Sequence, residues 1–342
     1  MSDGFDKVLE RMDERIIPAM LERMHKAEEK KDAQRALIIG IGGQDGSYLA
    51  DILLSRGYEV HGLVRPSSSD NLNRVRYLLD RITKIHLGDL TDTISLKNAI
   101  DESKPNVIYN VADQDNVRSS YVTPELAVQV TYGGPSRILE LIKGTGIRYF
   151  QPCSSTIFEP SELPQDESSP TNPQSPYAVA KLAALNLCRH HREKHGTFVS
   201  SAILYNHDSP RRAAGYLLQE ICHKVRCVEP GTQDVIVFQN PGAIVDIGFA
   251  YDYMRAVVDM MQLDGPVDLV IGNGNWISVY ELVLLVAAEL EIDFRRVSIV
   301  GWEQQAPTKH HIANPSRAKE LINFDPKTSL IQLIKLILNG ER

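Results

Sequence analysis

From residue 35 onward, short unbroken apolar runs alternate with longer stretches in which apolar residues return every third or fourth position. "RALIIG" (35–40) is apolar after its first residue, and "SYLADILLSRG" (47–57) has helical spacing and stops at Gly57. "YEVHGLV", "ITKIHLGD", "NVIYNVA" and "RYFQPCS" supply four further runs, most of them separated by helical stretches. A strand buried on both faces loses the polar alternation of a half-exposed one, and alternation of strand with helix marks parallel strands joined by helical crossovers. The pattern predicts an α/β fold: a Rossmann-type doubly wound parallel sheet. Beyond about residue 200 the alternation loosens, and the loops "HDSPRRAAG" and "QNPGAIVDIG" separate further helices. This predicts a smaller C-terminal α/β substrate lobe. The expected division is 1–34, 35–200 and 201–342, with the chain crossing back to the sheet domain.

Residues 1–34 differ from the rest. Phe5, Val8, Leu9, Met12, Ile16, Met20 and Met24 recur at spacings of three or four among many charges. An N-terminal amphipathic helix interrupted near Pro18 is expected. It either packs on its own domain or mediates contacts with a partner.

"LIIGIGGQDGSYL" places Gly40, Gly43 and Gly46 between the first strand and the first helix. Glycines there allow a tight turn and let backbone N–H groups approach a pyrophosphate at the helix N-terminus. Gln44 and Asp45 belong to the same candidate cofactor turn. The second strand chooses between cofactors. An acidic residue at its end would hold the ribose 2′-hydroxyl of NAD. The chain instead reads "LVRPSSS", where the Arg65 guanidinium and the hydroxyls of Ser67 and Ser68 suit a 2′-phosphate. NADP is expected in preference to NAD, which makes 35–200 an NADP-binding domain.

"SPYAVAK" offers Tyr177 and Lys181 at i, i+4 on one helix face, with Ser175 as N-cap and Pro176 at the first helical position. A phenol with a pKa of about 10 is a poor base at neutral pH, and a neighbouring ammonium favours its ionised form. Tyr177 is the candidate proton acceptor for a sugar hydroxyl that loses a hydride, and Lys181 also the candidate holder of the nicotinamide ribose. Ser154, at the end of the fifth run, can polarise a carbonyl.

Composition narrows the partners. Lys and Arg number 37 against 44 Asp and Glu, a net charge of -7, a poor footprint for nucleic acid or an anionic membrane. Cys153, Cys188, Cys222 and Cys227 form no C-x-x-C pair, so reduced thiols and no metal site are expected. No apolar run reaches membrane-spanning length and the N-terminus is polar, so a cytoplasmic location is expected.

"GIGGQDGSYLADILLSRGYEVHGLVRPSSS", "HLGDLTD", "SPYAVAK" and "LYNHDSPRR" together resemble the extended short-chain dehydrogenase/reductases, and among them most the GDP-mannose 4,6-dehydratases, over about residues 35–335. The resemblance implies a nucleotide-sugar substrate and a homodimer or homotetramer. It also implies Asp89 and Leu90 beside the adenine, and Asn206 and His207 beside nicotinamide and substrate. Arg211 of "SPRR" and the carboxylates Asp113 and Asp115 are further candidates for substrate contact.

The chain departs from the family pattern at several points. T-S-E-L-Y-G becomes "SSTIFE", so Ser154 replaces the family threonine and Thr156 the catalytic glutamate. That change brings the stretch close to the S-A-T-V-Y of sugar 4-epimerases. A-A-Q-S-H becomes "ADQDN", which introduces Asp113 and Asp115. Val245, Glu220 and Ala306 stand at positions where the family carries cations, and Lys309 follows in "APTK". Three readings stay open. One is an NADP-dependent epimerase or oxidoreductase that oxidises a sugar hydroxyl, at carbon 4. Another is a 4,6-dehydratase whose acid has moved to Asp113 or Asp115. The third is a cofactor-binding scaffold without turnover.

Overall fold

The computed structural model describes residues 33–67, 72–228, 234–237, 240–293, 297–300 and 310–340. The predicted helix over 1–34 therefore lies outside the described residues except for its last two positions. Six strands follow in chain order: β1 (Arg35–Ile39), β2 (Glu59–Val64), β3 (Lys84–Leu87), β4 (Val107–Asn110), β5 (Arg148–Ser154) and β6 (Val199–Leu204). Beyond them come β7 (Asn206–Asp208), β8 (Asp234–Val237), β9 (Ile244–Val245), β10 (Ile247–Phe249), β11 (Asp268–Ile271), β12 (Ile277–Ser278) and β13 (Val297–Val300).

Seven of these form one sheet in the order β3-β2-β1-β4-β5-β6-β11, with every neighbouring pair parallel. The order reverses between β1 and β4. In a doubly wound sheet this switch point opens a crevice beyond the carboxyl ends of the strands, where ligands bind. The expected Rossmann-type sheet is present.

Period-two alternation along β1 explains its apolar run. Leu37 and Ile39 pack on one face with Leu96, Ile138 and Leu139, whereas Ala36 and Ile38 pack on the other with Leu49, Leu53 and Val257. All four β1 side chains are fully buried. β6 straddles residue 200, and β11, from far beyond it, completes the sheet edge. The helix Ala250–Met260 also covers the sheet face beside the first helix, Gln44–Ser55. The chain returns again with the helix Ser316–Ile322, whose Ala318 joins the same core.

A separate core serves the C-terminal lobe. Leu218, Ile221 and Val225 pack against Leu282, Val283 and Val286 and against Leu333 and Ile334, contributed by three helices. Ser278 with Glu281, and Ser329 with Gln332, form capping boxes that fix the starts of two of them. β7 and β10 pair in parallel across the mouth of the crevice and hold Asn206 and His207 there. Among the described residues, no helix is long and apolar enough to cross a membrane.

Candidate active site

The crevice is a cleft of about 870 Å³, toward the upper end of the ~300–1,000 Å³ typical of ligand pockets. Gly40, Gly43, Gln44 and Asp45 line it. Gly40 adopts φ +90°, and a Cβ there would sit 2.8 Å from the backbone nitrogen of Ala112. Gly46 lies behind the lining: a Cβ on it would come within 2.2 Å of the Gly40 carbonyl oxygen. Gly46 therefore lets the helix start press against the strand end, and Gly40 lets the turn approach Ala112 after β4. A helix N-terminus of this kind, with N–H groups lacking intrahelical partners, fits a pyrophosphate.

The turn is tied to the second lobe. Gln44 donates to Asp45 Oδ1 at 3.0 Å and accepts from Ser209 Oγ at 2.8 Å. His207 Nε2 meets Asp45 Oδ2 at 3.2 Å, and its Nδ1 meets the Tyr205 carbonyl oxygen at 2.8 Å. Both partners accept hydrogen bonds, so the ring is held as a donor on both sides. Burial opposes a charged His207, but Asp45 outweighs it and the pKa rises. Burial likewise opposes an ionised Asp45, and His207 with Arg212 outweighs it, holding that carboxyl well below its usual range.

Arg65 follows β2 exposed and lines the cleft, as do Asp89 and Leu90 after β3. Asp89 Oδ1 accepts from the Thr91 N–H at 2.8 Å and its hydroxyl at 2.7 Å, and Leu90 packs on Gly134. Ser67 is exposed beside Arg65 without lining the cleft, and Ser68 lies outside the described residues. Sequence reasoning missed Arg74, which also lines the cleft and donates to the Gly42 carbonyl at 3.3 Å. Its sequence context, "NLNRVRY", carries no motif that distinguishes it from a solvated arginine.

The candidate redox residues come from β5 and from the helix Pro176–His195. β5 delivers Ser154, and the helix Pro176–His195 delivers Tyr177 in its first turn and Lys181 one turn later. The Ser175 hydroxyl accepts from the Ala178 N–H at 3.1 Å, so the predicted cap and the proline at the first helical position both fix this start. Ser154, Thr156, Tyr177 and Lys181 all line the cleft. The Thr156 hydroxyl lies 3.0 Å from Ser154 Oγ and its N–H donates to the same oxygen at 3.3 Å. Thr156 thus holds the serine hydroxyl through both its groups.

Lys181 is buried, 5.5 Å from the Tyr177 ring centroid, and donates to the Pro152 carbonyl at 3.0 Å. Its Nζ is also 2.5 Å from Asp113 Oδ2. Burial raises the pKa of Tyr177, and Asp113 and Asp115 push the same way against Lys181. The net direction is upward. The expectation that the lysine would bring this phenol down meets two carboxylates that the glycine and tyrosine motifs do not reveal.

Asp115 accepts from the Tyr216 hydroxyl at 2.7 Å and pairs with Arg212 at 3.2 Å. The Arg212 guanidinium lies 3.5 Å over the Tyr216 ring. Asn206, Arg118, Arg212 and Tyr216 line the same region. Arg211, the sequence candidate, does not. It is buried under the first helix, 4.0 Å over the Tyr48 ring and 2.8 Å from Asp51. The segment 209–212 is a turn closed by the Arg212 N–H on the Ser209 carbonyl at 2.9 Å, and it places the second arginine of "SPRR", not the first, in the cleft lining. Glu220 lines the cleft and pairs with Lys224 at 2.6 Å. Val245 stands in β9, packed against the second core and away from the cleft lining. Ala306 and Lys309 lie outside the described residues.

The family model for GDP-mannose 4,6 dehydratase matches residues 37–337. The chain belongs to this family. GDP-mannose 4,6 dehydratase of Homo sapiens is 40% identical over 345 residues, covering 92% of this chain and 93% of that protein. The Yersinia enterocolitica GDP-mannose 4,6-dehydratase is 38% identical, covering 90% and 94%. Solved structures share the fold at lower identity. The Thermus thermophilus UDP-glucose 4-epimerase complex with NAD superimposes with a TM-score of 0.77 at 19% identity, covering 90% of this chain and 98% of that one. RMD from Pseudomonas aeruginosa, complexed with NADPH, gives 0.73 at 19% identity with the same coverage. Membership in the GDP-mannose 4,6-dehydratase family makes the chain a sugar-modifying oxidoreductase of the extended short-chain dehydrogenase/reductase class. Of the positions at which the sequence departs from the pattern described above, Asp113, Asp115, Asn116, Ser154, Thr156 and Glu220 line the cleft.

Proposed function

We propose that this chain is an NADP-dependent nucleotide-sugar-modifying enzyme that oxidises a sugar hydroxyl, at carbon 4, by hydride transfer, acting as an epimerase or oxidoreductase. The observation that carries this reading is that Ser154, Tyr177 and Lys181 line one cleft, with Lys181 5.5 Å from the Tyr177 ring and bonded to the Pro152 carbonyl of the strand that ends in Ser154, and with Thr156 bound to Ser154 where the family's glutamate would stand. Ser154 orients the sugar oxygen, Tyr177 exchanges its proton, and Lys181 holds the ribose of the cofactor, whose nicotinamide takes up or returns the hydride. A panel of nucleotide sugars followed by mass spectrometry tests the reading. An isomeric product or a change of two hydrogens supports it, and loss of one water overturns it.

A second reading, a 4,6-dehydratase with a relocated acid, draws on the family and on the cleft positions of Asp113 and Asp115. Both carboxylates are engaged, one on Lys181 and the other on Arg212 and Tyr216, which favours the first reading. The scaffold reading is dropped, because family membership and the assembled Tyr–Lys pair both speak for turnover.

NADP is favoured over NAD by Arg65 and Arg74 at the adenosine end and by the absence of a carboxylate at 65–69. Arg65→Ala is expected to weaken NADP binding about tenfold or more while leaving NAD nearly unchanged, since a charge-assisted bond contributes roughly 1.5–3 kcal/mol. Calorimetry of both cofactors reads this directly, and equal losses for the two would refute it. A homodimer or homotetramer is favoured by exposed Tyr121, Val122, Leu126, Val128 and Val179 on adjoining helical segments. Light scattering coupled to size exclusion is expected to give at least a dimer, and a monomer at micromolar concentration would reject it.

A further inference from the structure

Tyr177 is faced by Lys181 on its own helix, Asp113 and Asp115 from the loop after β4, Cys153 at the end of β5, and Tyr216 at the start of the helix Leu217–Arg226. Asp113 is the group among them whose carboxylate lies within bonding distance of the ammonium. It is nearly buried, and the Thr131 hydroxyl donates to its Oδ1 at 2.5 Å. One oxygen is thereby fixed by threonine and the other lies against Lys181. The ammonium has a second fixed partner in the Pro152 carbonyl.

We propose that Asp113 is a positioning residue of the redox centre: it claims the Lys181 ammonium and thereby keeps Tyr177 as the neutral phenol. The proposal rests on Tyr177 as the acid–base group of the reading above. A carboxylate 2.5 Å from that ammonium offsets part of what the lysine does for a phenolate one turn away. Burial, Asp113 and Asp115 all favour the protonated phenol, against Lys181. The sign is therefore settled by the carboxylates and by burial acting together. The neutral phenol gives its proton to a carbonyl oxygen as the carbon accepts a hydride from reduced nicotinamide. The C=O becomes CH–OH, and a phenolate remains on Tyr177. The resting site is set for the reductive half of the cycle, and hydroxyl oxidation needs higher pH than Lys181 alone would demand.

Tyrosinate absorbance during alkaline titration tests this without any substrate. Subtracting the Tyr177→Phe curve isolates one phenol of the 13 in the chain. In the unaltered protein that difference is expected to stay flat throughout the alkaline range in which far-ultraviolet circular dichroism shows a folded chain. Asp113→Asn, nearly isosteric, is expected to lower the Tyr177 midpoint by about one to three pH units, the size of one neighbouring charge. Asp113→Ala should do the same, and Asp113→Glu should restore the flat curve. Asn and Ala curves that superimpose on the unaltered one would overturn the proposal, as would ionisation near neutral pH in the protein with Asp113 intact. The readout needs no turnover, so a wrong choice of reaction leaves the result intact.

Discussion

Tyr177→Phe is expected to remove most hydride transfer while the cofactor stays bound. Proton transfer by a positioned group contributes roughly 100- to 10,000-fold, and Tyr177 is the side chain that the helix Pro176–His195 brings beside Ser154 and Lys181. The ring itself is buried, so phenylalanine preserves its packing. The backbone N–H of residue 177 still meets Ser120 Oγ at 3.3 Å, because that contact does not involve the hydroxyl. Folding and cofactor affinity should therefore stay close to normal, with the loss confined to turnover. Single-turnover nicotinamide absorbance, paired with calorimetry of cofactor binding, separates the two. Retained hydride transfer would place the chemistry on another group, and a joint loss of binding and turnover would make Tyr177 a binding residue first.

Much of the sheet was legible because its strands are buried on both faces. β1 and β4 appear as apolar runs buried almost throughout, the edge strand β3 ("KIHL") is more exposed and carries polar residues, and the glycine turn sits between β1 and a helix with clear periodicity. The lobe after residue 200 was harder to read. Its strands β7, β9, β10 and β12 are two or three residues long and pair across distant segments, so no local period marks them. The Asp45–His207 contact spans 162 positions, and only the fold brings the two together. The same limit explains Asp113. Its neighbours in sequence say nothing about Lys181, and the ion pair exists because β4 and β5 are adjacent and the tyrosine helix lies over them. Arg211 shows a finer limit: "SPRR" marks the segment, but which arginine faces the cleft depends on backbone direction.

Incubated with GDP-mannose, the unaltered protein is expected to give no 4-keto-6-deoxy product. Elimination needs a group that removes the carbon-5 proton and an acid at the leaving hydroxyl. A threonine hydroxyl does neither well near neutral pH, and a missing acid–base group costs roughly 100- to 10,000-fold. The structure adds a reason beyond residue type. The Thr156 hydroxyl is 3.0 Å from Ser154 Oγ, so it is already engaged by that serine. The two carboxylates best placed to substitute are already paired, Asp113 with Lys181 and Asp115 with Arg212. Thr156→Glu alone should also fail to create the activity. It restores the carboxylate but loses the hydroxyl's contact with Ser154, keeping only that of the backbone N–H, and it leaves Val245 packed against the second core and Glu220 in the cleft. Mass spectrometry of both proteins after incubation decides the matter. Loss of one water catalysed by the unaltered chain would reject this reading and make Asp113→Asn and Asp115→Asn the next measurements. Loss of water in Thr156→Glu alone would show instead that the substrate lobe still holds GDP-mannose in the reactive pose, and that one side chain separates the two chemistries.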